Sequence, residues 1–210
     1  MKEMYEYYKN EISNKKIVLV SIIILCILGL LFGSLYLTIL SNDEKKTVLD
    51  LVNNYINSYN KINFSSKLDL FKSNLISNLI FFISIWVCGL SILGLFFIFI
   101  ITFFKSFITG FSISGIFAKY QIKGLLAILI YLIPSSFITL ILGLFLASYS
   151  SILSIRLVKG SFTKKNINFG SFMGKYFFLL LICILVSIIC ALFDSFISPY
   201  LFKLFIKLTK

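Results

Sequence analysis

Over residues 75–118 the chain runs for 44 residues with a single charged side chain, Lys105. As one α-helix this block would be about 66 Å long, twice the roughly 30 Å hydrocarbon thickness of a bilayer. It must therefore cross a membrane twice, and two break points compete. A break in the glycine-flanked segment 89–94 gives spans over 75–92 and 95–118, both long enough. A break at Lys105 leaves only 106–118, which would have to be re-entrant. The glycine break is preferred, and it places Lys105 near mid-bilayer.

The rest of the chain follows the same reading. Residues 17–40 form an apolar run of 24, preceded by Lys15 and Lys16 and ended by Ser41, Asn42, Asp43 and Glu44. It is too long for a secretory h-region and lacks a small-residue cleavage site, so it reads as an uncleaved anchor. A fourth run, 124–153, contains Pro134, Ser135 and Ser136 and spans once with a kink at the proline. The last run, 176–198, is expected to stop at Pro199. Composition agrees: 59% of the 210 residues are hydrophobic, 13% are charged and the mean hydropathy is +1.00. Soluble domains hold about half apolar and a quarter charged residues. The expectation is an all-α polytopic bundle of about five transmembrane helices, forming one membrane domain over 1–210.

Three polar stretches lie between and after the spans. Segment 41–73 repeats Val48, Leu51, Val52, Tyr55 and Tyr59 at three- and four-residue spacing, an amphipathic helix suited to the bilayer surface or to another protein. Loop 154–175 carries Arg156, Lys159, Lys164, Lys165 and Lys175 with no acid. The tail, 199–210, places Lys203, Lys207 and Lys210 as a short basic amphipathic helix. The net charge of +12 comes from lysines that flank apolar runs, a membrane-anchoring pattern and not a nucleic-acid patch. Counting Lys and Arg for five spans gives nine on the N-terminal side and ten opposite, so charge does not fix the orientation.

No catalytic constellation is legible. There is no histidine, and Asp43, Glu44, Asp50 and Asp69 lie among lysines as a solvated face. The chain is therefore read as a non-enzyme with no cofactor and no metal site. Cys26, Cys88, Cys183 and Cys190 fall inside apolar runs as small hydrophobes; Cys183 and Cys190 stand about 10 Å apart along a helix, beyond disulfide reach. Small residues recur every four positions: Gly29 and Gly33; Ser106, Gly110 and Ser114; Thr139, Gly143, Ala147 and Ser151. Such stripes let helices approach closely in lipid, either within the bundle or to another protein's anchor. Lys105 and Asp194 are the two candidate intramembrane charges. They fit snorkelling, a structural pair, or a transport or proton path.

Phe71, Lys72 and Ser73, then Ile85, Trp86, Gly89, Ser91, Ile92 and Gly94, then Lys105, Gly110 and Phe111 resemble the stage II sporulation protein M family. Phe193 and Asp194, with Ser198 and Pro199, are similar to that family's C-terminal signature. The resemblance extends over essentially the whole chain. It implies a multi-pass protein of the bacterial cell membrane, in the mother-cell membrane at the sporulation septum. There it would act as a non-catalytic scaffold for stage II sporulation proteins D and P, the cell-wall hydrolases that drive engulfment of the forespore. The competing expectation is a channel or transporter subunit, with Lys105, Pro134, Ser135 and Ser136 lining a path through broken helices.

Overall fold

The long apolar block is divided at its glycines. A computed structural model describes residues 2–59, 64–131, 135–163 and 169–209. Helix α3 (Phe64–Gly89) and helix α4 (Gly94–Tyr120) are joined by a tight turn in which Ser91 N–H donates to Cys88 O and Gly94 N–H to Ser91 O. A Cβ at Gly94 would collide with the Cys88 carbonyl, so the reversal needs glycine there. Lys105 lies inside α4, eleven residues or about 16 Å from its start.

The other elements are α1 (Lys2–Ile39), α2 (Asn42–Ser58), α5 (Gly124–Tyr131), α6 (Phe137–Thr163), α7 (Phe169–Leu192) and α8 (Ser198–Thr209). A 3-10 turn (Gln121–Lys123) joins α4 to α5, and a π-helical turn (Phe193–Ile197) joins α7 to α8. No strand occurs among the described residues. Five helical stretches are long and apolar enough to cross a membrane: Lys16–Ile39, Ser66–Gly89, Gly94–Ile130, Phe137–Val158 and Met173–Lys207. The chain is an all-α, multi-pass membrane bundle. Large side chains such as Ile80 and Phe104 stay more than half exposed, as a lipid-facing surface requires.

Three boundaries differ from the sequence expectation. Helix α3 begins at Phe64, inside the segment read as polar loop, because Lys67 stands over the rings of Tyr200 (4.7 Å) and Phe196 (5.7 Å) and is accommodated on the bundle. Run 124–153 is two helices: α5 packs Ala127 and Ile128 with Phe205 and Ile206 of α8, and α6 carries the span. The helix does not stop at Pro199. Proline lacks an N–H and crowds the carbonyl four residues back; the π turn widens the helix just before it, with Ser198 N–H donating to Phe193 O, and α8 continues. The kink site Pro134, the basic residues Lys164 and Lys165, and Lys210 lie outside the described residues.

Helix α2 is anchored, not floating. Ser41 and Glu44 form a reciprocal capping box at its start. Its apolar stripe packs on this chain's own helices: Val52 and Val48 lie where a Cβ at Gly115 of α4 would meet them (3.3 and 3.7 Å), and Tyr59 stacks on Phe202 at 4.7 Å. Asn53 accepts a hydrogen bond from Tyr120 at 3.1 Å. Two apolar clusters result. One, around Phe82, Ile85, Ile98, Leu146 and Tyr176, binds α3, α4, α6 and α7 toward the 89–94 turn. The other, around Ile56, Tyr59, Ile116, Phe202 and Phe205, joins α2, α4, α5 and α8.

Candidate functional site: a polar cavity between two apolar clusters

Several of the small residues singled out in the sequence make close helix contacts within the chain. Gly29 lies against Phe103 O and Ser106 Cβ, with only 2.8–2.9 Å available to an added Cβ. A Cβ at Gly33 would collide with Phe107 O, and one at Gly110 with Leu30 O. Ser106 donates to Thr102 O (2.9 Å) and touches Cys26 Sγ (3.0 Å). Helices α1 and α4 thus cross backbone to backbone, as lipid-solvated helices do when side chains are removed from the contact. Ser114 only donates to Phe111 O within its own helix; its neighbour Gly115 makes the contact to α2. On α6, a Cβ added at Gly143 would come within 2.6 Å of the Phe81 ring, Ala147 is fully buried, and Ser151 is buried with no hydrogen-bond partner for its Oγ.

At the 89–94 end, polar side chains close the turn. Tyr176 donates to the Trp86 carbonyl (2.7 Å) and lies 2.8 Å from Ser150 Oγ, while Ser154 donates to Ser91 O (2.8 Å). The Trp86 and Tyr176 rings stack at 5.5 Å. The helix-end carbonyls that lipid could not satisfy are thereby satisfied from α6 and α7. All four cysteines are free thiols.

Lys105 and Asp194 are brought to the same place. Both line a cavity of about 210 Å³, together with Asn74, Ser77 and Asn78 of α3, Thr139 of α6, and Ser135, Ser136 and Ser198. Tyr55 of α2, Tyr59 at its C-terminal cap and Phe202 of α8 line its far end. The cavity borders both apolar clusters, since Lys105 Nζ stands 5.4 Å over the Phe81 ring of the first and Tyr59 belongs to the second. Among the described residues no ion pair joins the two charges: Lys105 has its cation–π contact with Phe81, and Asp194 shares the cavity lining with Ser135. Asp194 sits on the π-helical turn, and Ser135 and Ser136 are themselves π-helical. Both sides of the site are thus built from widened helix, a rare geometry found often where helices carry function.

Asn74 and Asn78 were not singled out in the sequence, and Ser198 entered only through the resemblance of the C-terminal signature. The signal existed for the asparagines: two amides four residues apart share one face of an apolar helix, where an unpartnered amide is costly. Among the described residues no cluster of three or more acidic, histidine or cysteine side chains is placed to hold a metal ion. No curated protein and no solved structure matches the chain. A family model described as "Stage II sporulation protein M" matches residues 21–199, from within α1 through the π turn to the start of α8. The chain belongs to the stage II sporulation protein M family.

Proposed function

We propose that the chain is a non-catalytic membrane scaffold of endospore formation, anchoring and localising the septal peptidoglycan hydrolases, stage II sporulation proteins D and P, for engulfment. The observation that carries this reading is the family match over 21–199 on a chain with five helices able to span a membrane. The outward face of α2 suits a partner outside the bilayer. Its inner stripe is occupied by α4 and α8, whereas Asp43, Lys46, Asp50, Asn54 and Asn57 are exposed and Leu51 is 63% exposed among them. A lone exposed leucine ringed by polar groups is a plausible contact centre in chemical terms, apolar at the middle and polar at the rim.

The test follows fluorescently tagged hydrolases D and P during sporulation. Removing this chain delocalises both and arrests engulfment; hydrolases that still gather at the septum refute the scaffold. Asp50→Lys with Leu51→Glu should reproduce the delocalisation while the chain stays in the membrane at normal level.

A channel or transporter subunit is the second reading. It is favoured by Lys105 and Asp194 lining one cavity between widened helices. Lys105→Met discriminates: a transporter loses flux with hydrolase localisation intact, and a scaffold shows no flux to lose.

A further inference from the structure

The cavity holds one cation and one carboxylate, unpaired with each other, inside a span region where each is costly to leave unmatched. Ser198 Oγ is buried there without a hydrogen-bond partner; its side chain is 4% exposed. The amides of Asn74 and Asn78 and the Ser136 hydroxyl line the same space. Polar groups in such number around one void match a ligand carrying a compact anion and an ammonium together. The volume, about 210 Å³, is below the roughly 300–1,000 Å³ of drug-sized pockets and suits a head group.

The route to it lies through lipid. Ser77 and Ile108, which line the cavity on α3 and α4, are exposed on the bundle's side, Ile108 by 57%. They are flanked there by the lipid-facing Ile76, Ile80 and Phe104. The end toward α2 is instead lined by Tyr55, Tyr59 and Phe202. Lys105 lies near the middle of α4, and the cavity extends from it toward α2, whose Tyr55 lines the other end.

We propose that this cavity binds the head group of a zwitterionic phospholipid bearing a primary ammonium, entering sideways between α3 and α4. Lys105, with Asn78 and Ser198, takes the phosphate. Asp194, with Ser135 in the same lining, takes the ammonium. The acyl chains remain along the exposed apolar faces of α3 and α4.

The full chain, purified in detergent, is titrated with dioctanoyl-phosphatidylethanolamine, dioctanoyl-phosphatidylglycerol and free phosphoethanolamine. Bound lipid is counted by native mass spectrometry, and the thermal midpoint is read from the emission of Trp86, the single tryptophan. The wild type should bind the ethanolamine lipid about tenfold more tightly than the glycerol lipid. Lys105→Met should weaken both at least tenfold, Lys105→Arg should restore them, and Asp194→Asn should erase the difference between the two lipids. Unchanged affinities in Lys105→Met and Asp194→Asn, or equal wild-type affinities for both lipids, overturn the proposal. Free phosphoethanolamine binding as tightly as the lipid overturns the lipid source and keeps the zwitterion chemistry; no binding by it supports the lipid. If a charge variant elutes as aggregate, Ser198→Ala takes its place and should bind the ethanolamine lipid several-fold more weakly, with wild-type binding counting against the site.

Discussion

Gly33→Ala and Gly110→Ala test the crossing of α1 and α4 at its closest points. In an ordinary helix interior this exchange is favourable by about 0.8–1.0 kcal/mol, because alanine fixes the backbone more readily. Here the new methyl groups point at backbone carbonyls, Phe107 O and Leu30 O, which no rotamer change can move. Even Gly29, the roomiest of the three, offers 2.8 Å to Phe103 O, about 0.6 Å short of an ordinary contact beginning at 3.4 Å. The helices must separate, and overpacking of this kind costs about 1–3 kcal/mol per site. The clash therefore outweighs the propensity gain, and the net expectation is a loss of up to about 2 kcal/mol for each variant. Because the two sites share one interface, the double variant should fall short of the sum, since the first separation relieves part of the second. Gly174→Ala on α7 is the control: nothing lies within 4 Å of an added Cβ there, so it should be neutral or slightly stabilising. Denaturant unfolding in mixed micelles, followed by Trp86 fluorescence, measures all four. Wild-type stability in Gly33→Ala and Gly110→Ala, or an equal loss in Gly174→Ala, would refute the backbone-contact argument.

Two further outcomes follow from the polar contacts. Tyr176→Phe strips a donor from the partly buried Trp86 carbonyl and a partner from the buried Ser150, and should cost about 1–3 kcal/mol in the same unfolding assay. A loss below a few tenths would mean that the hydroxyl is not closing the turn. Glu44 has its carboxyl held below the usual range by the Ser41 backbone N–H first and the Ser41 hydroxyl second. A depressed acid stabilises above its unfolded value, about 4.3, and loses that contribution as pH falls through its lower folded value. The protection of the first-turn amides of α2, taken relative to their intrinsic exchange at each pH, should therefore fall on acidification through that window, and Ser41→Ala should flatten the dependence. A profile unchanged by Ser41→Ala would count against the capping box.

Much of the fold was legible because lipid imposes simple rules. A 44-residue apolar block has to turn within the chain, and glycine at 94 is where the turn's geometry tolerates no side chain. Periodicity also exposed the stripe of α2 and the small-residue faces, since both depend on which positions share a helix face. What covers a face is not written along it. Nothing local to Val48, Val52 and Tyr59 says that α4 and α8 fill the place left open for membrane or partner. Nothing local to Pro199 says that a π turn will carry the helix past it.

Composition and spacing by themselves determined a helical membrane bundle, the scarcity of acid and the absence of histidine, and two charges stranded in apolar sequence. Only the tertiary structure decided that Lys105 and Asp194, 89 positions apart, face one cavity with Asn78 and Ser198. The reason is physical: hydropathy acts on each segment through its contact with lipid, residue by residue. A cavity instead arises where several helices fail to close on one another, so its lining depends on crossings that bring together residues with no sequence relation.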